Sequence, residues 1–313
     1  MRDDENIKES VLGGIGDTAL VVLSHVVPPG HARVLVKLES GNPTGSMKDR
    51  MALAMIEAAE NDGRLPKGGV VVEYTGGSTG VSLALVCSVK GYALEIVTSD
   101  AFSEEKRKHM HALGANLTVV PSNDGGIDEA LIKTMVETAR GVADDLGAYW
   151  TNQLHNVDQV IGYRRMGDEI WRQTEGNVDA FVQMVGTGGC VRGVTEALRD
   201  YNPDTHVVAV EPSESAVLSG GETGIHKIEG VGAGFIVPLW KPDLIDEITS
   251  VSTEDAMEMA RRLAREEGMF AGTSTGGNVV AALRVAERLG PDATVVTVMA
   301  DSGLKYLSTQ LYD

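Results

Sequence analysis

The chain has 313 residues, 42% of them hydrophobic, enough for a full core in one large domain or two of ordinary size. Its 45 acidic residues outnumber 27 basic ones, a net charge of −18. That argues against nucleic acid as a partner, because a phosphate backbone calls for clustered Lys and Arg. The two cysteines, Cys87 and Cys190, make neither a disulfide framework nor a metal-ligand pattern. The polar start lacks the apolar segment of a signal peptide, and no apolar run approaches the ~20 residues of a membrane span, so a soluble, cytoplasmic protein is expected.

In chain order, short apolar strands alternate with longer amphipathic helices. A strand is expected over Val34–Glu39, followed by a Gly/Pro/Asn loop and a helix whose first turns carry Lys48. Next come strand Gly69–Tyr74, helix Thr79–Lys90, strand Leu94–Ser99, helix Ser103–Leu113, strand Leu117–Pro121 and helix Ile127–Leu146. The second half reads as helix Val157–Thr174, strand Ala180–Val185, helix Cys190–Asp200 and strand His206–Glu211. Helices Thr253–Glu267 and Gly277–Leu289 and strand Thr294–Ala300 complete it. This alternation predicts an α/β fold with mostly parallel sheets covered on both faces. Ligands of such sheets sit beyond the carboxyl ends of the strands. Glycines cluster there at 76, 77 and 80, at 186, 188 and 189, and at 272, 276 and 277. Three Gly-rich loops suggest one ligand-filled cleft approached closely by backbone.

Four segments carry chemistry, and each also has a plain structural reading. Gly186-Thr187-Gly188-Gly189-Cys190 follows an apolar strand and opens a helix, which suits a phosphate cradle or simply a tight turn. It is not the dinucleotide fingerprint, because the third glycine would fall at Val191. Ser40 to Arg50 places Lys48 at a helix start, where an amine that loses its proton can form an imine; most lysines are merely solvated. Thr75-Gly76-Gly77-Ser78-Thr79 offers hydroxyls and free amides to a carboxylate, or simply caps a helix. Asp301-Ser302-Gly303 places a small hydroxyl at the end of the last strand, where it could meet a ring nitrogen or just end the strand.

Taken together and in order, these segments resemble the cysteine synthase (O-acetylserine sulfhydrylase) and cystathionine β-synthase family of pyridoxal-phosphate enzymes. The resemblance runs nearly end to end, through Ile15 to Val21, the Lys48 segment, TGGSTG, Gln153, GTGG, HKIEGVGAGF from His226 to Phe235, GTSTGGN from Gly272 to Asn278, and DSGLKYLST from Asp301 to Thr309. It implies the tryptophan synthase β-like fold type II, with two three-layer α/β domains and pyridoxal phosphate in the cleft between them. Residues 1–47 with 153–313 would form the larger, cofactor-binding domain, and 48–152 a smaller, mobile one that binds the substrate carboxylate. Lys48 matches the Schiff-base lysine and catalytic base. Gly186, Thr187, Gly188, Gly189 and Cys190 match the phosphate cradle, Ser302 the partner of the pyridine nitrogen, and Ser78 a residue that meets both cofactor and substrate. Thr75, Gly76, Gly77, Ser78, Thr79 and Gln153 match the carboxylate grip, and no metal is implied.

The implied reaction is β-replacement of O-acetyl-L-serine, or a similar activated serine, by sulfide through an aminoacrylate to give L-cysteine. Another β-elimination or β-substitution, such as cysteine desulfhydration or a cystathionine β-synthase-like condensation, is the alternative, and a non-catalytic binding homologue a third reading. The resemblance also implies a homodimer and brings in serine acetyltransferase as a partner at the cleft. The chain is expected to have neither a regulatory C-terminal domain nor a haem-binding N-terminal extension. It departs from the family at several places. The usual TSGNTG is TGGSTG, Cys190 replaces a threonine, Asp17-Thr18-Ala19 replaces Asn-Thr-Pro, and Asn156-Val157-Asp158-Gln159 replaces Asn-Pro-Ala-Asn. Most of these fall at or near the substrate.

Overall fold

The computed structural model describes residues 7–123 and 129–313. Two sheets organise them. The larger has six strands in the order β1-β2-β10-β7-β8-β9: β1 Leu20–Val22, β2 Arg33–Leu38, β7 Ala180–Met184, β8 His206–Pro212, β9 Glu247–Val251 and β10 Thr294–Met299. Every pair is parallel except β1 with β2. The smaller is wholly parallel, in the order β5-β4-β3-β6: β3 Val70–Tyr74, β4 Ala93–Ser99, β5 Asn116–Val120 and β6 Tyr149–Trp150. The small sheet thus uses chain that lies between β2 and β7, and the last strand, β10, inserts between those two in the large sheet.

The central strands β7 and β10 are buried at every residue, as parallel strands covered on both faces must be. Eight helices do the covering among the described residues: α1 Lys48–Asn61, α2 Ser78–Lys90, α3 Glu104–Ala112, α4 Glu129–Leu146, α5 Gln159–Gln173, α6 Gly189–Tyr201, α7 Thr253–Glu266 and α8 Thr273–Leu289. The expected start of α4 at Ile127 lies outside the described residues. The carboxyl ends of β3, β7 and β10 all open toward one cleft.

Two expectations need correction. The strands β1, β6 and β9 were not expected from the sequence; all three are sheet edges, and two are only two or three residues long. The helix expected from Gly277 begins at Thr273, with Gly272 as its N-cap. Gly276 and Gly277 are therefore helical. A Cβ at Gly276 would overlap the Ala256 carbonyl of α7, and one at Gly277 would overlap the Met184 sulfur. These two glycines serve helix packing, not a ligand loop.

A buried charge cluster holds the start of α1 in place. Arg50 donates to Glu39 at 2.7 Å from Nε and to Glu169 at 2.7 Å from Nη1, and the fully buried Lys37 stands 2.7 Å from Glu169. Lys37 also donates to the Thr18 carbonyl and to Gln173. Burial alone would raise the Glu169 carboxyl, but Arg50 and Lys37 overcome it and draw it down to about 2.

Candidate active site

Lys48 is the first residue of α1, and its place is set by backbone. The segment before it is stitched antiparallel onto the end of β10: Met47 N–H donates to Ala300 O at 2.9 Å and Ser302 N–H to Gly45 O at 2.9 Å. Asp49, the next residue, accepts from the Thr44 hydroxyl and from the Ser82 hydroxyl of α2 at 2.6 Å. The Lys48 side chain lines a cavity of about 570 Å³ between the two sheets. Its amine has no hydrogen-bond partner among the described residues. Burial pushes the amine below the ordinary lysine range and nearby Lys106 adds to this, while Asp301 opposes it. An unpaired amine that sheds its proton readily is a nucleophile and a base.

Thr75 to Thr79 line the cavity with Gln153. Thr79 donates to Gln153 Oε1 at 2.8 Å, and Gln153 Nε2 donates to Tyr74 O at 2.8 Å. Beneath them the buried Glu73 accepts from Gln153 N–H at 2.9 Å and from the Thr151 hydroxyl at 2.6 Å. The first-turn N–H groups of α2, with no preceding turn to bond, lie at this loop. Together these groups make a polar, anion-receptive edge.

The glycines of that loop have another cause. A Cβ at Gly76 would stand 2.6 Å from the Phe102 ring, and Cβ atoms at Gly77 and Gly80 would overlap Lys106 and Met110. The approach that excludes side chains comes from α3 and from Phe102 just ahead of it, not from a ligand alone.

Across the cleft, Gly186 and Thr187 follow β7 and lead into α6. Gly188 has φ +84, and a Cβ at Gly189 would overlap the Gln159 amide. Thr187 Oγ1 accepts from Gly189 N–H at 3.2 Å and donates to Gln159 at 2.7 Å. Backbone amides turned toward a helix N-terminus with no room for side chains form an anion cradle. Cys190, just inside α6, is buried, and burial pushes its thiol up to about 12, so it stays protonated.

Ser302 lies outside the cavity lining; its hydroxyl accepts from Leu304 N–H at 3.3 Å. Its neighbour Asp301 does line the cavity. One Asp301 oxygen accepts from Ser78 at 3.2 Å and from Tyr306 at 2.9 Å, and the other has no partner. Sequence reasoning missed Asp301, Phe102, Lys106 and Glu229. Asp301 lay in a stretch already singled out. Glu229 lay in another, His226 to Phe235. Phe102 and Lys106 had one signal: the spacing 102, 106, 110 opposite glycines 76, 77 and 80.

The model of the pyridoxal-phosphate dependent enzyme family matches residues 11–301. The chain belongs to that family. It is 42% identical over 300 residues to a cysteine synthase of Staphylococcus aureus, covering 95% of each chain. Its structure resembles that of an O-ureido-L-serine synthase, with a TM-score of 0.92, 36% identity and coverage of 98% of this chain and 96% of the other. It is equally similar to O-acetylserine sulfhydrylase isoform 3 from Entamoeba histolytica, at 0.92 and 37%, covering 99% and 92%. The family's cofactor fits this site. The cavity presents an unpaired amine, the Gly186-Thr187 start of the glycine turn, and orphaned polar atoms on Asp301 and Gln183; Gly188 and Cys190 line a small adjoining pocket that Lys48 shares, and Gly189 packs on Gln159.

Proposed function

We propose that this enzyme makes L-cysteine from O-acetyl-L-serine, or a similarly activated serine, and sulfide by replacement at the β-carbon. One observation carries the reading: the free Lys48 amine shares a cavity with the anion-receptive loop Thr75 to Thr79 on one side and with Gly186 and Thr187, the start of the glycine turn, on the other. Identity of 42% to a cysteine synthase supports the choice of substrate.

Lys48 would hold pyridoxal phosphate through Nζ, and Gly186 to Gly189, with the Thr187 hydroxyl and the first turn of α6, would hold its phosphate. Ser78 is assigned to the ring; Ser302, one residue beyond the cavity-lining Asp301, is assigned there on the family resemblance alone. When bound, the cofactor supplies the electron sink that lets the α-C–H bond and the β-substituent bond break. The rest falls to the chain. The amides and hydroxyls of Thr75 to Thr79, with Gln153, bind the amino acid's carboxylate and orient it. Lys48, neutral because it is desolvated, takes the α-proton and later returns it. Acetate leaves with its bonding electrons, and hydrosulfide adds at the same carbon. The apolar walls of Phe102, Leu154 and Ile228 keep bulk water from that carbon.

A second reading, another β-substitution or elimination, is favoured by the altered loop. Ser78 donates to Asp301, so it presents a lone pair to the cavity where an asparagine would present an amide. The product made from O-acetyl-L-serine and sulfide separates the two. We further place the mobile smaller domain at 48–152 and the larger at 1–47 with 153–313, a division that the membership of the two sheets supports. A cytoplasmic homodimer, with serine acetyltransferase as a partner, completes the proposal; the two free, buried cysteines support a reducing compartment. No helix among the described residues is long and apolar enough to cross a membrane.

The anchor is tested by borohydride reduction of the cofactor-loaded protein and peptide mass mapping. Cofactor mass on the Lys48 peptide, absent in Lys48→Ala, is expected. Mass on Lys106 or Lys305, or none at all, overturns the assignment.

A further inference from the structure

Lys106 and Met110 share one face of α3, and Phe102, two residues ahead of the helix, packs beside them. These side chains fill a notch cut by Gly76 and Gly77 in the loop that leads into α2 and by Gly80 in its first turn. Lys106 then does something its two neighbours do not. Its methylenes lie on Gly77, but its ammonium crosses the cleft to Glu229 Oε2 at 2.5 Å, passing 4.2 Å from the centre of the Tyr306 ring. The Lys106 side chain is only 3% exposed and that of Glu229 15%. Glu229 sits on a loop fixed to the large sheet, where Gly232 N–H donates to Val185 O at 3.1 Å and His226 Nε2 bonds Gly232 O at 2.9 Å. One more polar contact crosses the cleft, Ser78 with Asp301 at 3.2 Å.

We propose that Lys106 is a positioning residue that couples the amino-acid grip at Thr75 to Thr79 to closure of the cleft. This rests on the reading of that loop as the carboxylate grip. The physical reason is shared atoms. Lys106 cannot leave Glu229 without drawing its methylenes off Gly77, and the loop cannot shift without displacing them. A solvated surface pair contributes little. This pair is desolvated, and its ends belong to elements of different sheets, so its strength changes with the width of the cleft. A carboxylate that settles the loop therefore settles Lys106 against Glu229, and the mouth shuts over the bound amino acid.

The test uses cofactor-loaded protein as wild type, Lys106→Met, Glu229→Gln and the double variant. Methionine keeps packing on Gly77 without the charge, and glutamine keeps the shape of Glu229. Amide hydrogen exchange without amino acid is read at 75–80 and at 226–232. Each single variant is expected to raise exchange in both segments, and the double to do no more than either single. With O-acetyl-L-serine, KM is expected to rise about tenfold, more than any fall in kcat, equivalent to about 1.4 kcal/mol. Exchange that rises at 226–232 alone in Lys106→Met, or single effects that simply add, overturns the coupling. Glu229→Gln decides the matter alone should Lys106→Met fail to fold. If wild type ignores O-acetyl-L-serine, the grip reading fails, while the exchange data without amino acid still judge the coupling.

Discussion

Gly76→Ser puts the family's usual residue back into this loop, and the structure says the chain will reject it. The added Cβ would stand 2.6 Å from Phe102 Cε1 and 2.9 Å from Cδ1 and Cζ. Three ring atoms cannot all retreat, because Phe102 is 9% exposed and packed with Tyr74, Leu131 and Leu154. Forced repacking of this kind costs ~1–3 kcal/mol. Phe102→Leu removes the ring and keeps an apolar wall, so serine at 76 should then cost under about 0.5 kcal/mol. The assay is urea unfolding of wild type, both single variants and the double, with m held common so that midpoints report stability. A coupling of ~1 kcal/mol or more between the two sites is expected. Equal cost of Gly76→Ser in both backgrounds refutes the claim that Phe102 dictates the glycine.

Other outcomes follow from the same geometry. Glu169 is held at about 2 against an ordinary 4.5, so its contribution is whole above about pH 4.5 and is lost as pH falls toward 2. Glu169→Gln should therefore cost ~3 kcal/mol at pH 7, a gap that narrows in urea unfolding at pH 3; a gap that stays constant from pH 7 to 3 contradicts the network. Gly189→Ala drives a methyl into the Gln159 amide beside the cradle, and should raise the cofactor dissociation constant at least tenfold in equilibrium dialysis. Unchanged retention removes Gly189 from the phosphate site. Gly276→Ala should destabilise by ~1–3 kcal/mol through the Ala256 carbonyl, and a neutral result on thermal melting disproves the close α7–α8 contact.

Much of the fold was legible because its parallel strands are buried on both faces and read as apolar runs between glycines. β7 and β10 announce themselves in this way. β6, with two residues, is too short to show any period, and the edge strand β9, Glu-Ile-Thr-Ser-Val, neither alternates nor forms an apolar run, because two polar residues stand side by side in it. The site was legible as an ordered set of segments rather than as single residues. Lys48 looks like any lysine until Gly186 to Gly189 and Thr75 to Thr79 are read with it. Lys106 was not legible, because it sits in the charged run EEKRKHMH, whose pattern suggests a solvated face. Its burial is decided by glycines that precede it by about thirty positions, a tertiary fact without a local period. The same limit hid Asp301. Which of two adjacent residues at a strand end faces the cavity depends on how the segment 45–47 pairs with 300–302.

On this reading the Lys48 cavity binds pyridoxal phosphate and turns O-acetyl-L-serine and sulfide into cysteine. The most direct measurement is the absorbance spectrum of the cofactor-loaded protein, taken alone, after O-acetyl-L-serine, and after sulfide, with cysteine assayed at the end. A visible band from lysine-bound cofactor is expected, shifting when the amino acid is added and returning with sulfide as cysteine appears. A band that ignores O-acetyl-L-serine would contradict the substrate, and the absence of any visible band after loading would contradict the role of Lys48.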